Sequence, residues 1–276
     1  MATWPLPPLA TDYVHATRSG SNPAWVNATC GAANVKGAWV SVIDPVAAGG
    51  GTTMMLHFNQ TNVAATDTAC LLDIGFGPSG GGSELVVVGN LLCGFLDLIS
   101  MQRTLPLWVP PGIRVSARAQ SVVAAKTVGV AVDVLAGEFA HGGWVPAQYT
   151  DYGVDTANSG GTTVTASGTA NVKGAWAPLT TSTTAAHNAL LIMVQGSVAV
   201  QTTAHYLLDV GVGAGGSEVV IVPDWHFRLT SSEQNFPTGP AFVPLGTSIP
   251  AGTRLSARVA AGTGSLTAEV VVHGIN

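Results

Sequence analysis

The chain has 276 residues, 47% of them hydrophobic and only 9% charged, against about 25% charged in an ordinary soluble protein. Ten Lys and Arg against fifteen Asp and Glu leave a net charge of −5, so the basic footprint that grips a phosphate backbone is missing and no nucleic-acid partner is expected. An apolar, nearly uncharged composition also excludes a disordered chain.

Residues 1–10, Met-Ala-Thr-Trp-Pro-Leu-Pro-Pro-Leu-Ala, lack the basic start and unbroken apolar core of a secretory leader, and their prolines exclude a helix. They predict an extended Pro-rich arm and synthesis in the cytoplasm. A first domain is predicted over 11–139. It opens on Thr11-Asp12-Tyr13 and carries, in order, Ala33-Asn34-Val35-Lys36-Gly37-Ala38-Trp39, Leu71-Leu72-Asp73-Ile74-Gly75, Ser83-Glu84-Leu85-Val86 and Val109-Pro110-Pro111-Gly112-Ile113-Arg114-Val115-Ser116-Ala117-Arg118. A joint over 140–149 follows, containing Trp144. Over 150–276 the same series returns: Thr150-Asp151-Tyr152, then Ala170 to Trp176 with an identical seven residues, Leu207-Leu208-Asp209-Val210-Gly211, Ser217-Glu218-Val219-Val220, and Ile249 to Arg258. A period this long is a duplicated domain, since solenoid and propeller repeats run about 20 to 50 residues.

Within each unit the apolar period is two. Val128, Val130, Val132 and Val134 alternate with Gly129, Ala131 and Asp133, and Leu266, Ala268, Val270 and Val272 alternate in the second unit. Alternation marks half-buried strands. Pro111-Gly112 and Ala251-Gly252 suit a type II turn, whose third residue needs a positive φ. With short Val/Thr-rich runs and no amphipathic helix, the prediction is all-β: two homologous tandem β-sandwich domains, jelly-roll-like, of about eight strands each. No apolar run is long enough for a spanning helix, and no membrane insertion is expected.

Signals that mimic enzymes fail on context. Gly75 to Gly80 and Gly211 to Gly216 match a dinucleotide-binding pattern, but a strand follows each where the helix that seats a pyrophosphate is required. Gly77-Pro78-Ser79-Gly80-Gly81 matches a nucleophile-elbow string that the second unit does not repeat. The histidines show no metal-binding pairing, and Cys30, Cys70 and Cys93 are odd in number and lack ligand spacing. Buried reduced thiols are expected, with no metal, no cofactor and no catalytic residue; Cys30 aligns with Ser167 and Cys70 with Tyr206.

The charges kept in both units, Lys36/Lys173, Asp73/Asp209, Glu84/Glu218, Arg114/Arg254 and Arg118/Arg258, are read as ion pairs and loop hydrogen bonds of the fold, with the pairing of acid and base left open. Trp39 and Trp176 are read as core or inter-sheet plugs rather than sugar platforms. Trp4, Trp25, Trp108, Trp144 and Trp225 are candidate surface contacts, Trp4, Trp144 and Trp225 foremost.

These segments together resemble virion structural proteins of tailed bacteriophages over nearly the whole chain apart from the arm and joint. The resemblance implies a jelly-roll-like module on the outside of the particle, a capsid decoration or head spike or a tail attachment component, and transfers no active site. A surface this poor in charge is expected to be covered by permanent neighbours: further copies of the chain, as a homotrimer, and the major capsid or tail protein of the virion. The alternative is a receptor-binding module for a host surface glycan.

Overall fold

The computed structural model describes residues 25–46, 50–60, 69–94, 101–135, 148–196, 203–229, 236–237 and 242–276. The arm at 1–10, Trp4, Trp144 and most of the joint at 140–149 lie outside the described residues. Every regular element among those described is a strand, and none is a helix long and apolar enough to cross a membrane.

The first repeat contains β1 (Val26–Thr29), β2 (Val40–Ile43), β3 (Gly51–Gln60), β4 (Cys70–Pro78), β5 (Leu85–Leu92), β6 (Met101–Val109), β7 (Ile113–Ser121) and β8 (Thr127–Leu135). They pair as two antiparallel sheets, in the orders β1-β8-β3-β6 and β2-β7-β4-β5. The second repeat opens with two added strands, β9 (Tyr149–Tyr152) and β10 (Val154–Asp155). There follow β11 (Gly160–Thr165), β12 (Ala177–Thr180), β13 (His187–Gln195), β14 (Ala204–Val212), β15 (Val219–Leu229), a short β16 (Phe236–Pro237), β17 (Phe242–Ile249), β18 (Leu255–Ala261) and β19 (Thr267–Ile275). Its sheets run β11-β19-β13-β17 and β12-β18-β14-β15, with β9 and β10 extending the first and β16 the second. Strand for strand this is one topology used twice, and its eight-stranded two-sheet order is that of a jelly roll.

Alternation places the cores. Met54, Leu56 and Phe58 of β3, Leu72 and Ile74 of β4 and the four alternating valines of β8 meet inside the first sandwich, and each such side chain stabilises by about 1.5–3 kcal/mol on burial. Gly112 and Gly252 have φ of +75° and +82°, the backbone that the turns into β7 and β18 demand.

The two sandwiches do not keep separate cores. Leu190, Ile192 and Val194 of β13 and Ala268, Val270 and Val272 of β19 fill the second sandwich. Their neighbours on the opposite face, Ala189, Leu191, Met193, Val271 and Ile275, join the core cluster of the first repeat together with Tyr149. Polar links border this seam: the Asn90 amide donates to Asp151 at 2.6 Å, Gly94 N–H to Gln195 Oε1 at 3.2 Å, and Gln120 to the Thr156 carbonyl at 2.9 Å. The first-repeat side of the seam includes Leu71, fully buried, whereas its counterpart Leu207 is 37% exposed.

His273 lies on the same face of β19, opposite Asp151 of β9, fully buried and with neither ring nitrogen hydrogen-bonded. Burial lowers its pKa from 6.5 to about 4, against the opposing pull of Asp151. Between those two values the unfolded chain holds a proton that the folded chain refuses, so stability rises with pH there and is lost as pH falls from 6.5 toward 4. Burial pushes His187 in the same direction. Calorimetric unfolding is therefore expected to show a loss on the order of 3 kcal/mol across this window, and His273→Leu should flatten that part of the pH profile while leaving the carboxylate-driven fall at lower pH.

Candidate functional site

The charges and aromatics repeated between the two units converge on one construction. Asn34 adopts φ +58°, reversing the chain after β1. Gly37 then passes so close to the Thr29 carbonyl that a Cβ would sit 1.8 Å from the oxygen, and only glycine fits. Lys36, between them, reaches β4 and places Nζ 2.7 Å from Asp73 Oδ1; Arg118 of β7 donates from Nε to Asp73 Oδ2 at 2.9 Å. A bulge in β5 puts Asn90 at φ +51° and turns its amide onto Asp73 Oδ1 at 2.8 Å. The Arg118 guanidinium lies 4.5 Å from the Trp39 ring centroid, and that ring rests on Gly75, where a Cβ would meet it at 2.8 Å.

The second repeat reproduces each contact. Lys173 and Arg258 grip Asp209 at 2.5 and 2.9 Å, the Asp224 amide donates to it at 3.0 Å, and Arg258 lies 4.4 Å from the Trp176 ring, which rests on Gly211. Burial alone would raise the Asp209 carboxyl, but the Asp224 amide, Lys173 and Arg258 together hold it below the usual carboxylate range. A second pair stands beside the first. Arg114 meets Glu84, which also accepts from the Ser116 hydroxyl, and Arg254 meets Glu218 at 2.5 Å. Hydrogen bonding from Arg254 holds the Glu218 carboxyl down.

Chemically the two aspartates are saturated. Asp73 and Asp209 each accept from a lysine, an arginine and a backbone amide, so they are occupied as fixed anions rather than placed to exchange protons with a substrate. The Gly-rich loops are hairpin turns: β4 runs directly into β5 and β14 into β15. In the first loop Ser79 and the Gly80 amide hydrogen-bond Asp44 and lower its carboxyl pKa. The serine thus serves an Asp side chain in a turn, with no strand-to-helix elbow around it. Among the described residues no group of three His, Cys, Asp or Glu is arranged to hold a metal.

Several expectations need correction. Trp39 and Trp176 are half-buried covers on the outer face of a sheet rather than plugs, because the glycine opposite each leaves a flat seat and the arginine closes it from outside. Trp225 is not a surface anchor: it is 6% exposed, inside the second core beside Phe227 at 5.7 Å. The bulge at Asp224, φ +46°, sets which way it faces and is invisible to simple alternation. Among the described residues the exposed tryptophan is Trp108, at 46%, in an apolar groove of about 820 Å³ shared with Phe76, Leu85, Val86, Pro110 and Tyr149. Strand pairing also shifts one alignment: Thr29 and Thr165 occupy the same rung, so Cys30 corresponds to Ala166 and not Ser167. Cys30, Cys70 and Cys93 are free, buried and brought together. On the exposed face of β14 and β15, His205 and His226 stack at 5.2 Å; only the register places them side by side.

No family model and no curated relative matches the sequence. Solved structures similar to it include the tandem CBM22-1–CBM22-2 domains of Paenibacillus barcinonensis Xyn10C (10% identity, 86% of this chain and 82% of that one, TM-score 0.28). PNGF-II (10%, 91% and 65%, 0.37) and infectious bursal disease virus, Gx strain (9%, 81% and 56%, 0.20) are also similar. At these scores the likeness concerns fold class alone, and the jelly-roll assignment rests on the strand order.

Removing the buried anion leaves two half-buried cations without their acid. Asp73→Ala and Asp209→Ala are each expected to cost roughly 3 kcal/mol, read as a fall in the denaturation midpoint, whereas Gly75→Ala should lift Trp39 from its seat and red-shift tryptophan fluorescence with a smaller loss.

Proposed function

We propose that this chain is a structural component of a virus particle, a decoration or head-surface protein of a tailed phage that works as a homo-oligomer, and that it carries out no catalysis. The observation that carries this reading is the mutual pairing of the repeat-matched charges: each acid common to both units is taken by a base of the same set, which holds loops onto sheets. The sequence resemblance to phage virion proteins supports the particle, and the scarcity of charge with exposed Leu85, Val86, Trp108 and Val219 supports covering neighbours. Duplication supports a trimer, since three chains offer six similar modules to a quasi-sixfold surface. The major capsid or tail protein is the second partner in this reading.

Light scattering coupled to size exclusion tests it first. A stable oligomer, with three copies as the expected value, agrees; a monomer at high concentration overturns the oligomer, and antibody labelling that finds the protein off the particle overturns the virion assignment. A second reading, recognition of a host glycan, is favoured by one feature, the exposed Trp108 ring in its apolar groove. Trp108→Ala should then abolish binding to a glycan array with the unfolding midpoint unchanged, and an array without signal for the native chain removes that reading.

A further inference from the structure

Two imidazoles meet on the outer face of β14 and β15. In the ladder His205 stands opposite Arg228 and Leu207 opposite His226, which makes the two histidines diagonal neighbours on one face. His205 is exposed and His226 half-buried. Nδ1 of His205 lies 3.2 Å from Nε2 of His226, and the rings are 8° from parallel with centroids 5.2 Å apart. Two imidazole nitrogens bound to one tetrahedral ion at about 2.0–2.1 Å stand about 3.3 Å from each other. The pair is therefore already at ligand spacing. The repeat shows where this pair arose. Leu71 faces Leu92 where Leu207 faces His226, so His226 corresponds to Leu92 and His205 to Ala69. Leu92 is fully buried, and Gly94, the counterpart of Arg228, is tied across the seam to Gln195. The copy whose face is covered carries two apolar residues here, and the copy whose face is open carries two nitrogen donors. An open face asks only for polarity, which serine, threonine or lysine would supply; adjacent imidazoles add chelation. The charges on this stretch of β15 are Arg228 and Asp224, the latter engaged by Lys173 at 2.9 Å, so the ring nitrogens rather than a negative field would have to hold an ion.

We propose that His205 and His226 form a two-nitrogen site for a divalent transition-metal ion of the imidazole-preferring class, Zn²⁺ or Cu²⁺, with water completing the coordination. Without the ion, one ring donates its N–H to the other. On binding, that proton passes through solvent to the other nitrogen of the same ring, so His205 Nδ1 and His226 Nε2 each turn a lone pair to the metal and both rings serve as neutral ligands. The water positions face outward from an open sheet face. The ion joins β14 to β15 from outside, and because it binds the folded ladder and not the separated strands, it stabilises the fold by mass action. The site stands apart from the repeat-matched charges and asks nothing of the virion reading.

The test uses the full chain, stripped with EDTA, dialysed, and titrated at neutral pH with zinc chloride in a calorimeter and with cupric chloride in an electron paramagnetic resonance spectrometer. The expected result is saturable uptake of a single Zn²⁺ per chain, an unfolding midpoint that climbs with Zn²⁺ concentration, and a Cu²⁺ spectrum split by two ring nitrogens. Mg²⁺, which prefers oxygen ligands, should give no response. His205→Ala and His226→Ala should each weaken Zn²⁺ binding by roughly tenfold or more and leave the signature of one nitrogen at most, while His57→Ala binds as the native chain does. Midpoints measured in EDTA confirm that the variants are folded, and the native spectrum decides the matter if one is not. A native chain that takes up neither ion, uptake that survives the loss of either ring, or a native Cu²⁺ spectrum with a single nitrogen would overturn the proposal.

Discussion

The buried anion at Asp73, and its copy at Asp209, is the contact on which each sandwich turns. A carboxylate placed on the outer face of β4 and covered by Trp39 and Arg118 is tolerable only if its lone pairs are met. That requirement reaches across the chain: it draws the Lys36 loop down from β1, fixes Arg118 on β7, and pins the β5 bulge through the Asn90 amide. The loop can come down only because Gly37 lets it pass the Thr29 carbonyl, and the tryptophan can lie flat only because residue 75 has no side chain. Residues scattered through the first repeat thus answer to one electrostatic demand, and the seven-residue identity between the repeats is the record of that demand.

Around this common frame the two copies have diverged where they touch. The first sheet of the second repeat is buried on both sides, and its strands read as near-continuous apolar runs, Leu190-Leu191-Ile192-Met193-Val194 and Val270-Val271-Val272. The equivalent strands of the first repeat keep His57 and Asp133 on that face, joined at 3.0 Å. Packing of the second repeat's outer face on the first explains the difference, since a polar residue there loses its water; Gln195 answers with hydrogen bonds to Gly94 and Glu269, and His273, which has none, remains neutral as the cost of burial dictates. The face that buries Leu71 in the first repeat presents Leu207 and the stacked His205 and His226 to solvent in the second.

Much of this was legible beforehand, and for physical reasons. Side chains alternate along a pleated strand, so the valines of β8 announced which face is inside; a turn that needs positive φ selects glycine, so Gly112 and Gly252 marked the entry to β7 and β18. The repeat showed which charges matter. It did not show that Lys36 and Arg118 share one acid while Arg114 takes another, because a ladder register, not spacing along the chain, decides which side chains meet. Trp225 was misplaced for a related reason: one bulged residue at Asp224 reverses the alternation that an unbroken strand obeys.

The amino-acid sequence by itself determined the duplicated all-β architecture, the turns and the set of residues that both copies require, since these depend on local backbone preference and on a period of two. Only the tertiary structure decided the pairing of those residues, the union of the two cores at β13 and β19, and the meeting of Cys30, Cys70 and Cys93. Each of those is a contact between segments far apart in the chain, and no local preference encodes a distance across a sandwich.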